Sequence, residues 1–283
     1  MAIITISRGS FSNGKEIAEK VAETLGYQCV SREVLLEASQ FFQVSEKKLL
    51  KTLHDAPGFL ERLTRGREKY IAYIRAALLE HIKGDNYVYH GHAGHLLIPE
   101  ITNALKVRII ADMDERVALL RQRQKMSKNH ALAVIREEDR HRTEWTRYLY
   151  RVDIEDPRLY DIIVYLGTMT IEDASKIICN AARCKSFKTT LEDKKKFINL
   201  ALQSHIRASL QNLCEASVTS LDGFVHVKVP AQKLTRTGYA TPQMGKQLKE
   251  TIQSDLTREI NEIVRKIPGV KGVVCDIEPP FFV

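Results

Sequence analysis

No stretch of the 283-residue sequence approaches the roughly 18 uninterrupted apolar residues that a membrane-spanning helix requires. The N-terminus also lacks the basic region, apolar core and cleavage site of a secretory signal peptide, because the chain enters a predicted strand at Ile3. We therefore expect a cytoplasmic globular protein without a transmembrane segment.

Cysteine is scarce and irregularly spaced. The five cysteines are odd in number and never form a C-x-x-C pair; they are Cys29, Cys179, Cys184, Cys214 and Cys275. This pattern argues against a disulfide framework and against a zinc ribbon. We interpret these residues as buried or unreactive thiols.

The sequence also lacks the interleaved aromatic residues of a base-stacking surface, although its formal net charge is +8. Its lysines and arginines are spread along predicted helices and one charged segment. A small anionic substrate such as a nucleotide explains this charge equally well, and no nucleic-acid partner is expected. A chain of 283 residues with 44% apolar residues can bury one large core or two smaller ones, and the length favours two domains.

The first motif combines a predicted strand, a glycine-bounded turn and a helix that Gly26 ends. Gly9 to Lys15 has the spacing G-x-x-x-x-G-K, in which backbone N–H groups and a lysine surround a phosphate at the start of a helix. The predicted ATP-binding residues are Gly9, Ser10, Phe11, Ser12, Asn13, Gly14, Lys15 and Glu16. Glu16 stands where Ser or Thr would hold magnesium, which makes the signature incomplete. The alternative interpretation is a structural glycine turn.

Strands and helices alternate beyond this loop. Predicted strands cover 26–31, 86–90, 105–111 and 161–166, with helices over 32–42, 114–125 and 170–182 between or after them. Strands separated by helices predict an α/β fold with a parallel five-stranded sheet and flanking helices. Ligands of such sheets bind at the carboxyl ends of the strands, where Gly9–Lys15, Ser31-Arg32 and His90–His95 fall.

A polar segment predicts the domain boundary. Residues 185–197 are charged and poor in apolar periodicity, so we expect a first domain over 1–184, a charged linker over 185–197 and a second domain over 198–283. The second domain is predicted to be a small α+β unit with the order α-β-β-α-β. Its signals are a helix near Ile206, a hairpin around Asp222-Gly223, and a long helix ended by Pro268-Gly269 before a last strand.

Several ordered motifs carry a resemblance to a known family. They are Ile6-Ser7-Arg8, the glycine loop, Lys15-Glu16-Ile17-Ala18, Leu25-Gly26-Tyr27, Ser31-Arg32-Glu33, Asp156-Pro157 and Leu159-Tyr160-Asp161-Ile162-Ile163-Val164. These motifs resemble those of the cytidylate kinase-like family, a branch of the nucleoside monophosphate kinases. The resemblance covers roughly residues 1–182. The resemblance implies a P-loop kinase fold, with ATP and Mg²⁺ as cofactors. It also implies transfer of the ATP γ-phosphoryl group to a nucleoside monophosphate or another small acceptor.

The same resemblance implies roles for individual residues. Lys15 would neutralise charge during transfer, and Arg32 would contact the acceptor. The lid segment would supply further catalytic residues: Arg136, Asp139, Arg140 and Arg142. The alternative for these lid residues is a solvated helix face, because alternating charges at helical spacing also form i,i+4 pairs.

Three histidines lie at the end of the third predicted strand, where the resemblance implies an acceptor-binding arginine. Histidine at position 92 replaces that arginine, and we expect His90 and His92 to line the acceptor pocket. Ser31 likewise replaces an expected aspartate. Together with Glu16, these departures leave a second hypothesis, a catalytically inactive nucleotide-sensing regulator. A third hypothesis is a metal site formed by His90, His92 and His95, although no metal is expected in the favoured interpretation.

The C-terminal region, about Ser204 to Pro279, resembles a BON domain. The match lies in its element order, in Leu221-Asp222-Gly223-Phe224-Val225 and in Ile267-Pro268-Gly269-Val270, with an insertion from Lys233 to Thr241. Domains of that kind bind membranes, proteins or small ligands. The resemblance therefore implies recognition or regulation, not chemistry, for this part of the chain.

Overall fold

The computed structural model describes residues 3–31, 33–49, 66–234 and 242–282. Within them the chain divides into two compact units, Met1–Leu191 and Glu192–Val283. No helix in the described residues is both long and apolar enough to cross a membrane.

The first unit is built on a parallel five-stranded sheet. Its strand order is β2-β3-β1-β4-β5, and the strands are β1 (Ile3–Arg8), β2 (Gln28–Val30), β3 (Tyr87–His90), β4 (Leu105–Ala111) and β5 (Ile162–Leu166). The register places Ile6 between His90 of β3 and Val107 of β4. The predicted α/β class and parallel sheet are confirmed.

Helices flank this sheet and connect its strands. Those with described bounds are α1 (Gly14–Leu25), α2 (Glu33–Phe42), α3 (Gly66–Ile82), α4 (Gly94–Leu97), α5 (Met113–Gln124), α6 (Lys128–Tyr150) and α7 (Ile171–Ala182). The apolar face of α1 packs on the sheet, since Ile17 and Val21 are fully buried in one cluster with Ile4 and Ile109. Helix α1 ends at Gly26, whose φ of 68° suits glycine and whose N–H donates to the carbonyl oxygens of the last turn.

The second unit is a small α+β structure with the predicted order. It contains α8 (Leu191–Ser209), β6 (Ser217–Leu221), β7 (Phe224–Val229), β8 (Lys233–Leu234), α9 (Pro242–Val264), β9 (Gly272–Ile277) and β10 (Phe281–Phe282). β6 and β7 form an antiparallel hairpin, and β7 pairs with β9 in parallel. Its core contains Val225, Val227, Ile260 and Val264.

Several boundaries differ from the sequence predictions. Helix α8 begins at Leu191, so residues 191–197 of the predicted linker are helical. Helix α9 ends at Val264 and not at Ile267, and its Leu248 side chain is exposed. The pairing of β8 with β10 was not predicted, because two-residue strands carry no periodicity. The remainder of the predicted insertion, 235–241, lies outside the described residues.

Candidate active site

The glycine loop connects β1 to α1 at the carboxyl end of the central strand. Its first residue is fixed to the neighbouring strand, because Gly9 N–H donates to the carbonyl oxygen of Ile109 over 3.2 Å. Phe11 and Asn13 both adopt the left-handed conformation, with φ of 55° and 53°. Ser12 Oγ closes the turn by donating to the Gly9 carbonyl oxygen at 2.9 Å. The loop is therefore a compact turn that leads into the N-terminus of a long helix, the geometry that binds anions.

Gly14 allows a close approach between the end of this loop and Arg8. A Cβ at position 14 would lie 2.5 Å from Arg8 Cδ and 2.8 Å from Arg8 Cβ. The stem of Arg8 thus packs directly on the backbone at the first residue of α1. Only glycine leaves room for this contact, which keeps the Arg8 side chain beside the loop.

Lys15 and Glu16 occupy the first turn of α1. The Lys15 side chain is exposed and lies 3.5 Å from Glu19, one turn further along the helix.

Glu16 forms an ion pair with Arg123 of α5. A paired carboxylate at this position does not supply the hydroxyl ligand that magnesium has in complete phosphate loops. The nearby hydroxyls of Ser10 and Ser12 donate to Asp139 and to Gly9. The residues present therefore do not fit direct coordination of Mg²⁺ by a hydroxyl at the position after the loop lysine, which Glu16 occupies.

A buried charge network joins the loop to two helices. Ser10 donates to Asp139 Oδ1 of α6 through its backbone N–H, at 3.3 Å, and through its Oγ, at 2.8 Å. Arg116 of α5 donates from Nε to the Ser10 carbonyl oxygen and from Nη2 to Ser10 Oγ, both at 2.7 Å. Arg116 and Asp139 also pair directly, at 2.5 Å. Because every polar group of Ser10 is engaged, the first half of the loop is held in one conformation.

Arg142 provides a second contact between α6 and the loop region. Its Nη1 donates to the carbonyl oxygen of Arg8 at 2.9 Å, and its Nη2 lies 3.7 Å from Glu138. Burial lowers the pKa of Arg142 from its ordinary value, which the neighbouring carboxylates partly offset. Of the predicted lid arginines, Arg142 is thus held at the strand that precedes the loop.

The other two lid arginines lie on exposed positions of α6. Arg140 pairs with Glu137 at 2.5 Å and with Glu144 at 3.3 Å, both on its own helix. Arg136 is exposed. The face of α6 that meets the loop carries Asp139 and Arg142. Arg140 therefore has the i,i+3 and i,i+4 pairs of a solvated face, as the alternative interpretation expected.

The predicted acceptor residues lie at the end of β3. His90 is buried, and burial together with the positive charge of Arg8 lowers the pKa of its imidazole to about 4. His92 packs edge-on against Trp145 of α6, with ring centroids 4.7 Å apart. Arg32 lies outside the described residues. A neutral imidazole at His90 can donate or accept a hydrogen bond, but it supplies no positive charge near pH 7.

A metal site would require the side chains of the three histidines to lie close together. The structure places His92 and His95 against different aromatic residues. His95 is buried against Tyr160, with ring centroids 4.8 Å apart, whereas His92 packs against Trp145. Across residues 3–31, 33–49, 66–234 and 242–282, no group of three or more His, Cys, Asp or Glu side chains could hold a metal ion. The H-x-H-x-x-H spacing thus does not form a metal centre in the described residues.

Sequence reasoning missed Arg116 and gave no role to Arg8. Arg116 is only 9% exposed, and it shares a buried face of α5 with Val117 and Leu120. The sequence did contain a signal for this residue, because Arg116 lies on the apolar face of a helix that follows a central strand. Such a residue needs a buried acceptor or carboxylate partner, which the glycine loop and Asp139 provide.

The chain resembles known proteins over its first unit. A sequence model described as the cytidylate kinase-like family matches residues 3–168. The cytidylate kinase of Archaeoglobus fulgidus is 29% identical over 189 residues, which are 65% of this chain and 97% of that protein. The cytidylate kinase of Sulfolobus acidocaldarius is 27% identical over 108 residues, 38% of this chain and 58% of that protein.

The fold of this unit is also found in solved structures. An uncharacterised protein from Eubacterium ventriosum superimposes with a TM-score of 0.51 and 19% sequence identity, over 64% of this chain and 97% of that one. This likeness concerns the fold alone.

Proposed function

Because the chain belongs to the cytidylate kinase-like family, we propose that its first domain, residues 1–184, binds ATP at Gly9–Lys15 and transfers the γ-phosphoryl group to a small acceptor. The observation that carries the proposal is the contact between α6 and the loop. Asp139 and Arg142, three residues apart on α6, bond to Ser10 and to the Arg8 carbonyl oxygen. A charged helix that rests on a phosphate-binding turn suits a lid over the transferred group.

The proposed reaction requires positioning and positive charge more than covalent chemistry. An acceptor oxygen attacks the γ-phosphorus, the bond from that phosphorus to the bridging oxygen breaks, and ADP leaves with the electron pair. Backbone N–H groups of the loop and of the first turn of α1 bind the phosphates. Lys15 and Arg142 neutralise the charge that develops, and Asp139 positions Arg116 and Ser10. Roles for Arg136 and Arg140 remain predictions, and Arg140 would first have to leave Glu137 and Glu144.

The acceptor in this proposal is a nucleoside monophosphate, with cytidine monophosphate as the first choice. Arg32, His90 and His92 are its predicted contacts. Since His90 is neutral near pH 7, this side of the pocket favours hydrogen bonds over charge pairing. Mg²⁺ is proposed only as a counter-ion of the ATP phosphates, because magnesium retains several waters and relies on substrate phosphates.

A second candidate function is a nucleotide-sensing regulator without catalysis. The observation that favours it is the ion pair between Glu16 and Arg123, which occupies the position of the usual magnesium-binding hydroxyl. This candidate shares the ATP site and differs only in the absence of transfer.

The second domain is proposed as a recognition module. Its αββαβ order and its BON-like turn motifs support a role in binding a protein, a ligand or a membrane surface. Its thiols suit packing, because burial raises the pKa of Cys214 to about 11.

Calorimetry with ATP, ADP and CMP, each with and without Mg²⁺, tests nucleotide binding. We expect ATP to bind and Lys15→Ala to weaken it by roughly 1.5–3 kcal/mol, the worth of a charge-assisted contact. Lys20→Ala is the matched control, because Lys20 lies on the same helix but pairs with Glu172 of α7. Absence of binding heat for all three nucleotides would exclude both the kinase and the regulator.

A further inference from the structure

Arg8 differs from the other arginines around the glycine loop in its lack of an acidic partner. Arg116 pairs with Asp139, Arg123 with Glu16, and Arg142 with Glu138. For Arg8, by contrast, no ion pair or side-chain hydrogen bond is formed with any residue in the described parts of the chain. Within the described residues the Arg8 guanidinium thus has no direct carboxylate contact, and Glu16 and Glu138 act on it only through longer-range charge interactions.

This guanidinium is fixed in place, not free in solvent. The Arg8 stem packs against Gly14, and the residue is partly buried. Arg142 binds the Arg8 carbonyl oxygen at 2.9 Å, so the two arginine residues are held side by side at the end of β1. Burial is the largest cause of the lowered pKa of Arg8 and the positive charge of Arg142 is the next, whereas Glu16 and Glu138 partly offset the shift. Two like charges in a partly desolvated place repel each other, and a bound anion would relieve the part of this repulsion that Glu16 and Glu138 do not offset.

We infer that Arg8 and Arg142 form a cationic clamp for a phosphoryl group bound at the loop. The inference deepens the proposed function and rests on it for the identity of the phosphate donor. A guanidinium presents two parallel N–H donors that match phosphoryl oxygens, and two of them account for the positive charge that Arg136 and Arg140 do not supply from their exposed positions. The clamp also explains Gly14, because any side chain there would push Arg8 away from the loop.

A purely structural role for Arg8 makes a different prediction. If the residue only packs on Gly14, an unbranched apolar side chain of similar length replaces it without loss of phosphate binding. Arg8→Met keeps the stem and removes the charge, whereas Arg8→Lys keeps a charge without the planar fork. Arg147→Met is the control, because Arg147 lies on α6 with an exposed side chain that pairs with Asp153.

The test is calorimetric titration of wild type and variants with ATP, with inorganic tripolyphosphate and with adenosine, at one ionic strength. We expect Arg8→Met to weaken ATP and tripolyphosphate by roughly 10- to 100-fold, and Arg8→Lys to recover part of that loss. Arg147→Met retains wild-type affinity. Urea unfolding followed by the fluorescence of Trp145, the one tryptophan of the sequence, verifies that each variant is folded.

A double-mutant cycle with Arg142→Met gives a second readout. If both side chains hold one phosphoryl group, the double variant loses less affinity than the sum of the single losses. The clamp is overturned if Arg8→Met binds tripolyphosphate as tightly as wild type. It is also overturned if the loss of affinity in the double variant equals the sum of the two single losses. If wild type binds tripolyphosphate with the expected Arg8 dependence but does not bind ATP, the clamp stands and the nucleotide function is wrong. Binding of neither compound contradicts both.

Discussion

Asp139 Oδ2 lies 2.5 Å from Arg116 Nη2, and both side chains are hydrogen bonded to Ser10. The pair thus links α5 and α6 to the first residues of the glycine loop. Asp139 has a side-chain exposure of 34%, whereas Arg116 has only 10%, so the arginine is the more buried partner. Its charge is satisfied only while Asp139 and Ser10 remain in place.

Asp139→Ala should therefore destabilise the first unit by roughly 2–3 kcal/mol, because it leaves the guanidinium of Arg116 buried without its carboxylate. The partial exposure of Asp139 places the expected value at the lower end for buried pairs. Urea unfolding followed by Trp145 fluorescence measures the change. Glu144→Ala removes a partly exposed partner of the exposed Arg140 on the same helix and should change stability much less. Equal losses in the two variants would show that the buried network is unimportant.

Gly14→Ala should displace Arg8 and weaken ATP binding roughly 10-fold or more, since the new Cβ would lie 2.5 Å from Arg8 Cδ. The backbone itself tolerates alanine, because position 14 begins a helix and has no positive φ. Gly245→Ala is the matched control in α9, where an added Cβ meets nothing within 4 Å. Calorimetric titration of both variants with ATP measures the effect. Unchanged ATP affinity in Gly14→Ala would argue against the close approach of Arg8 to Gly14.

Stability of the first unit should fall as the pH drops from about 6.5 towards 4. Burial, followed by the charges of Lys106 and Arg108, lowers the pKa of His95 from 6.5 to about 4 in the folded chain. The unfolded chain therefore takes up the proton first, and folding loses as much as about 2 kcal/mol at this site by pH 5. His95→Phe keeps a ring against Tyr160 and should reduce the pH dependence of the urea midpoint, while His90, whose pKa is also lowered to about 4, accounts for the remainder. The exposed His130, replaced by Asn, should leave it unchanged. A slope that is the same in wild type and His95→Phe would contradict the assignment.

The parts of the fold that the sequence predicted best are those with strong local signals. Strand β4 was predicted with its observed bounds, Leu105–Ala111, because it is an apolar run between polar turns. Gly26 marked the end of α1, because a left-handed residue after a helix is commonly glycine. The location of the loop followed from its glycine and lysine spacing.

The contacts that complete the candidate site carry no such local signal. Asp139 reaches Ser10 across 129 residues of sequence, and Arg116 reaches it across 106. Such contacts depend on which helix faces the loop after the sheet has formed. The charge pattern of α6 could not separate Arg140 from Arg142, since both lie among acidic neighbours. The buried Ile135 and Thr146 on the same face as Asp139 and Arg142 were the better guide.

A phosphoryl-transfer assay shows whether the first domain is a kinase that acts at Gly9–Lys15. Purified wild type is incubated with γ-labelled ATP and, in turn, CMP and the other nucleoside monophosphates, beside Lys15→Ala and the Lys20→Ala control. The account predicts release of ADP and label on the acceptor for wild type and Lys20→Ala, with both lost in Lys15→Ala. ATP binding without labelled acceptor would favour the regulator. Transfer that Lys15→Ala leaves unchanged would contradict the account, because the reaction would then not take place at Gly9–Lys15.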